Sequence, residues 1–155
     1  MAQPRKKPGI PNDLVGIAGV HYVAFELSRR KVVVLPTTRN TAGYDIIAVS
    51  SDGARHANIQ VKTAQRRPNF WPMPHSRKIP HGRHDYFVLV RGIKKNPVEC
   101  FFVSGKEARS AVRKVENRQR AKSGKVTFPC IYVAGKYALK GTRDRWNSAW
   151  ETWSI

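Results

Sequence analysis

Residues 43–63, with the sequence GYDIIAVSSDGARHANIQVKT, decide the fold that this chain predicts. Two apolar runs, residues 46–49 and 59–61, contain isoleucine and valine, which favour a pleated strand. The segment between them begins with Ser-Ser-Asp-Gly, residues that are typical of a tight turn. The stretch therefore predicts a β-hairpin.

Three polar side chains are expected to converge on this hairpin. Asp45 opens the first strand, and Gln60 and Lys62 lie on either side of Val61 in the second. Side chains two residues apart on a strand share a face, and in-register pairing brings Asp45 beside them. An acid, an amide and an ammonium group suit metal-assisted phosphodiester cleavage, because Mg²⁺ prefers oxygen ligands and a lysine steadies the attacking water. We therefore predict Asp45, Gln60 and Lys62 as catalytic residues.

The wider region, from about residue 16 to Lys62, repeats a known order of elements. The matching residues are Gly19, Tyr22, Val23, Ala24 and residues 26–30 on a helix, then Asn40, Gly43, Tyr44 and Asp45, then residues 59–63. This ordered set resembles the PD-(D/E)XK nuclease superfamily, and within it small bacterial and archaeal endonuclease-like proteins related to Holliday-junction resolvases. The resemblance covers roughly the first half of the chain well and the remainder in outline.

The resemblance implies an α/β fold, a restriction-endonuclease-like mixed sheet of about five strands flanked by helices. It also implies a metal-dependent DNA endonuclease that hydrolyses phosphodiester bonds, in branched or structured DNA among other substrates. Mg²⁺, or Mn²⁺ in its place, would be held by Asp45, the amide oxygen of Gln60 and the backbone carbonyl of Val61. Lys62 would position the attacking water and stabilise charge on the phosphate.

Two positions depart from the family pattern. The family commonly carries an acid at the position of Gln60, although relatives with glutamine are familiar. Its members usually carry Gly-Glu where this chain has Gly19 and Val20. Glu26 is six residues further on and about 120° round the helix, so it does not replace that glutamate. The alternative function is therefore a catalytically impaired nuclease-fold protein that binds nucleic acid.

The charge of the chain indicates its partner. Its 155 residues include 29 Lys and Arg against 10 Asp and Glu, a net charge of +19. Such an excess repels itself unless a polyanion shares it, so we expect DNA, with RNA left open. An anionic membrane is disfavoured, because no basic helix carries an aromatic apolar face and no apolar run could span a bilayer. A homodimer is left open.

The length suits a disordered basic arm at residues 1–11 and a single nuclease-like domain at residues 12–155. No secretory signal opens the chain, and two cysteines give no disulfide framework, so a cytoplasmic setting is expected. His75, His81 and His84 do not have the spacing of a common zinc site with Cys100 and Cys130.

Basic residues and aromatic rings outside the hairpin are the candidate nucleic-acid contacts. They concentrate in the arm, which is equally well explained as a solubilising tail, and in a proline-rich loop at residues 65–83. The two rings of this loop suit either base stacking or closure of the core edge. The predicted contacts are Arg5, Lys6, Lys7, Arg39, Arg66, Arg67, Phe70, Trp71, Arg77 and Lys78.

The remaining elements follow from apolar periodicity. A helix that Asn12 or Asp13 caps is expected over residues 14–30, and a buried strand over residues 31–36. Further strands are expected at residues 85–90, 100–103 and 126–133, and further helices at residues 106–122 and 143–153.

Overall fold

The computed structural model describes residues 9–38, 43–94 and 97–151. Within them the chain forms, in order, α1 (Asn12–Arg29), β1 (Val33–Pro36), β2 (Ile46–Val49), β3 (His56–Ala64), β4 (Phe70–Pro72), a 3-10 turn (Ser76–Lys78), β5 (Asp85–Arg91), β6 (Glu99–Ser104), α2 (Gly105–Ser123), β7 (Cys130–Tyr132) and α3 (Thr142–Ser148). None of the described helices is long and apolar enough to cross a membrane.

Five strands form one mixed sheet in the order β1-β2-β3-β5-β6. The hairpin of β2 and β3 is antiparallel, with Ile46 opposite Ile59. β3 then runs parallel to β5, with Val61 opposite Val88, and β6 returns antiparallel to β5. The prediction of an α/β fold with a five-stranded mixed sheet between helices is confirmed.

α1 covers one face of this sheet. Val23 and Leu27 of α1 are fully buried in a cluster with Ala57, Ile59 and Val61 of β3. Gly19 permits this close packing, because a Cβ atom there would lie only 1.7 Å from the Thr63 hydroxyl oxygen. The alternate residues of β3, from Ala57 to Thr63, therefore face α1.

α2 covers the opposite face. Ala108 and Val112 of α2 pack with Phe87 and Leu89 of β5 in a second buried cluster. The helix begins with a capping box, in which the Ser104 hydroxyl accepts from the Glu107 N–H and the Glu107 carboxylate accepts from the Ser104 N–H. The sheet thus separates two buried clusters, one on each of its faces.

The connection between β3 and β5, expected as a loop, contains structure of its own. β4 pairs antiparallel with β7, so that Trp71 lies opposite Ile131 in a two-stranded sheet. Glu116 of α2 is buried and accepts hydrogen bonds from His75 Nδ1, Ser76 N and Ser76 Oγ at 2.9, 3.0 and 2.5 Å. These contacts fasten the 3-10 turn to α2.

Three predictions about the elements need correction. The strand expected to be buried, β1, is an edge strand with Val33 and Leu35 about half exposed. Neither Asn12 nor Asp13 caps α1; Pro11 occupies the N-cap position and makes no side-chain bond. α3 is shorter than expected and ends at Ser148. The arm residues Arg5, Lys6 and Lys7, together with Arg39, lie outside the described residues.

Candidate active site

Asp45 lies just beyond the last paired residues of β2 and β3. Its backbone N–H donates to the Ile59 carbonyl at 2.9 Å. Its carboxylate oxygen Oδ2 accepts a hydrogen bond from the Val61 N–H at 2.7 Å. The hairpin therefore holds the Asp45 carboxylate on the backbone of Val61, the central residue of the Gln-Val-Lys segment.

A cleft of about 350 Å³ opens beside Asp45, between α1 and the start of β2. Its lining includes Asp13, Val20 and His21 from α1 and Tyr44 next to Asp45. Val20, at the position where the resemblance implies a glutamate, lines the same cleft as Asp45. Asp13 was not predicted as a site residue, because it was interpreted as a helix cap. Its spacing of seven residues from Val20 indicates that the two share a helix face.

Gln60 and Lys62 project from the other face of β3. Strand alternation requires this, because Ile59 and Val61 pack in the α1 cluster while Ala64 packs against the α2 cluster. Both side chains are half-buried. Between Lys62 and Asp45, both of them described residues, there is neither a hydrogen bond nor an ion pair. Strand alternation therefore directs Gln60 and Lys62 away from the α1 cluster, while the Asp45 carboxylate is held on the backbone between them.

The carboxylate side chains in the cleft suit a weakly held divalent cation. Among the described residues no group of three or more His, Cys, Asp or Glu side chains could hold a metal ion. Two carboxylates, Asp13 and Asp45, nevertheless line the one cleft. Mg²⁺ keeps several waters and is usually held by one or two carboxylates together with substrate phosphates. Asp13 and Asp45 fit that arrangement.

A cluster of hydrogen-bonded polar groups adjoins the cleft at Tyr44. Asp85 Oδ1 accepts from Tyr44 Oη at 3.0 Å and from Asn58 Nδ2 at 3.2 Å, and its Oδ2 accepts from the Gly82 N–H at 2.7 Å. Burial opposes ionisation of Asp85, but these hydrogen bonds hold its pKa below the ordinary value. Asp85 is therefore an ionised structural anchor that orients Tyr44.

Glu26 as a metal ligand and Cys100 as a nucleophile are both disfavoured by their surroundings. Glu26 pairs with Arg29 at 3.2 Å and with Arg30 at 2.5 Å on α1, and it is not part of the cleft lining. Burial raises the pKa of the Cys100 thiol to about 12, so this cysteine is a poor nucleophile at neutral pH.

The described basic contacts predicted from the long connection lie in different environments. Arg66 and Lys78 are exposed. Arg67 donates to the Pro97 carbonyl at 2.7 Å and lies 3.5 Å from the buried carboxylate of Glu99. Arg77 lines a large cleft of about 710 Å³ between the 3-10 turn and α2. The other cationic residues in that cleft lining are Arg113, Arg120 and Lys125.

The two aromatic residues of β4 also differ. Phe70 is 40% exposed, with its ring 5.6 Å from that of Phe128, whereas Trp71 is 2% exposed and packs 5.7 Å from Phe101. A nucleic-acid base can reach Phe70, but Trp71 would have to leave the core.

We expect Phe70→Ala to weaken DNA binding by at least about 5-fold without unfolding the protein, because a stacked base contributes about 1–3 kcal/mol. Trp71→Ala should instead lower the free energy of unfolding by about 3–5 kcal/mol, since it leaves a large cavity. Urea denaturation and fluorescence anisotropy measure the two effects. If Phe70→Ala unfolds the protein, or leaves DNA affinity unchanged, the stacking prediction is wrong.

No protein-family model, no curated protein and no solved structure matches this chain.

Proposed function

We propose that this protein is a divalent-metal-dependent DNA endonuclease of the PD-(D/E)XK type that works in the cytoplasm. The hydrogen bond between the Asp45 carboxylate and the Val61 N–H carries the proposal. It joins the acid of the first hairpin strand to the centre of the Gln-Val-Lys segment, beside a cleft that a phosphate could enter. The mixed sheet, with β3 parallel to β5, supports the same assignment.

Within the cleft, Asp45 and Asp13 would hold Mg²⁺ or Mn²⁺ through carboxylate oxygens. The bound metal would supply Lewis acidity and lower the pKa of a water molecule. His21 also lines the cleft, and we assign to it the movement of a proton to or from the reacting oxygens. Gln60 and Lys62, on the other face of β3, would contact the substrate rather than the metal.

DNA binding without cleavage is the second candidate function, and a specific observation favours it. Lys62 does not lie on the α1 side of β3, where Asp45 and its cleft are found. Val20 also leaves the cleft without the helix glutamate that the resemblance implies. The net charge of +19 is accounted for equally well by a protein that only binds DNA.

Val20→Glu should lower the metal concentration for half-maximal cleavage by about 10-fold, because a third carboxylate enters the cleft beside Asp45. Mn²⁺ should support the wild-type protein better than Mg²⁺, since it binds such ligands more tightly. Cleavage of branched, duplex and single-stranded DNA is measured against the concentration of each metal.

Val20→Gln is the matched control, because it has the size of the glutamate variant without its charge. It should leave the metal requirement near that of the wild type. If neither the wild-type protein nor Val20→Glu gives a metal-dependent product on any substrate, while both bind DNA, the binding function replaces the endonuclease.

A further inference from the structure

A second pocket, of about 400 Å³, lies on the α2 face of the molecule, between α2 and the segment at residues 133–141. Its inner wall contains the apolar side chains of Ala111, Val115 and Leu139. Tyr132 and Tyr137 add aromatic walls. The backbone N–H of Leu139 donates to the Tyr132 carbonyl at 2.9 Å and so closes the segment that carries these rings. An aromatic ring can therefore pack against this part of the lining.

Positive charge surrounds this pocket. Lys114, Arg118 and Lys136 contribute three cations to the lining. The acid in the lining, Glu107, is already neutralised, because it accepts a hydrogen bond from Arg145 at 2.6 Å. Burial opposes ionisation of Glu107, but the contacts with Arg145 and Ser104 hold its pKa below the ordinary value. Within the described part of the chain none of the three cations forms an ion pair, so the pocket favours an anion.

The rings and one cation are arranged for stacking. The guanidinium carbon of Arg118 lies 3.6 Å from the centroid of the Tyr137 ring. Tyr132 and Tyr137 do not stack on each other, since their centroids are 6.4 Å apart and their planes are inclined by 59°. Aromatic rings and guanidinium planes are the surfaces on which proteins stack unpaired bases. Tyr137 is 48% exposed, so that a ligand can reach it.

We propose that this pocket binds an unpaired nucleobase together with its phosphate. The tyrosine rings and the apolar side chains between them suit the base, and Lys114, Arg118 and Lys136 suit the phosphate. The inference rests on the proposed function, which makes the polymer DNA. It narrows the substrate to DNA that contains unpaired bases. Because α2 and α1 cover opposite faces of the sheet, a substrate that fills both this pocket and the Asp45 cleft must extend around the protein. DNA with a single-stranded segment next to a duplex has that shape.

The test measures fluorescence anisotropy in the presence of EDTA, which prevents metal-dependent cleavage. The probes are a single-stranded oligonucleotide of about 12 nucleotides and a blunt duplex of the same sequence. Tyr137→Ala should weaken binding of the single strand by about 10-fold and change duplex binding by less than about 2-fold, because only the single strand offers an unstacked base. Tyr137→Phe keeps the ring and should bind as the wild type does.

Two further measurements separate stacking from charge. Arg118→Ala should weaken single-strand binding more than Lys122→Ala, which removes the same charge from α2 outside the pocket. A single strand containing 5-iododeoxyuridine should form a photocrosslink to Tyr137 or Tyr132. Equal loss of single-strand and duplex affinity in Tyr137→Ala, no loss of either, or crosslinks only elsewhere overturns the inference. If the wild-type protein binds neither probe, the proposed nucleic-acid function itself is wrong.

Discussion

Asp45→Asn should reduce metal-dependent cleavage of DNA by at least about 100-fold, because loss of even an outer partner of a metal ligand costs about 10- to 100-fold. The asparagine side-chain oxygen can still accept the hydrogen bond from the Val61 N–H, which is 2.7 Å long in the wild-type protein. The substitution therefore removes the charge while keeping the hairpin contact. The rate of product formation at saturating Mn²⁺ is the measurement.

DNA affinity is the control for this variant. Measured in EDTA, it should stay within about 2-fold of the wild type, since a single carboxylate contributes little to phosphate binding. Cleavage that survives Asp45→Asn would show that the activity comes from elsewhere, including a contaminating nuclease.

Lys62→Ala, measured beside Asp45→Asn, decides which face of β3 takes part in the chemistry. The family resemblance predicts that this variant also abolishes cleavage. The position of Lys62 on the face opposite α1 predicts a smaller loss, through substrate binding. Cleavage near the wild-type rate would confine the chemistry to the α1 side of the sheet.

Raising the salt concentration should weaken DNA binding steeply. The net charge is +19, and exposed basic residues line the cleft that contains Arg77. If about six phosphates are contacted, affinity should fall by about 10³-fold between about 50 and 200 mM monovalent salt, because each contact releases condensed counterions. Anisotropy titrations at several salt concentrations give the slope of log affinity against log salt, and a flat slope contradicts nucleic-acid binding.

An internal control comes from Arg77. Arg77→Ala should reduce the magnitude of that slope by about one if this residue contacts a phosphate. Arg67→Ala should change the slope less, because Arg67 already lies beside the carboxylate of Glu99.

Much of the fold was predictable from local chemistry. The Ser104–Glu107 capping box and the apolar spacing of residues 108, 112 and 115 mark α2 within the sequence itself. The hairpin of β2 and β3 follows from its apolar runs and its turn. These signals act between neighbouring residues, so one sequence is enough to find them.

The surface that a strand presents is harder to predict, and for β1 the prediction of a buried strand is wrong. The β-branched residues of β1 favour a strand, but they do so equally in an edge strand and in a buried one. They therefore do not indicate where in the sheet the strand lies. Alternation placed Gln60 and Lys62 together but did not say that the face of Ile59 and Val61 would be the one that packs on α1. The contribution of Asp13 to the cleft depends on that same choice of face.

Long-range pairing was the other gap. β4 and β7 pair across about 60 residues, with Trp71 opposite Ile131, and each is only three residues long. Segments this short carry almost no periodic signal, and their pairing depends on the packing of Trp71 beneath α2.

The exposed edge at β1 affects the colloidal behaviour of the protein. Val33 and Leu35 present apolar side chains on a strand whose outer edge pairs with no other described strand, and such an edge is a template for association with a second chain. Mutual repulsion between molecules of charge +19 opposes such contacts, but its range shrinks from about 10 Å at 0.1 M salt to about 3 Å at 1 M. Concentrated salt thus removes the barrier to self-association, and any polyanion that binds the protein would do the same by neutralising its charge.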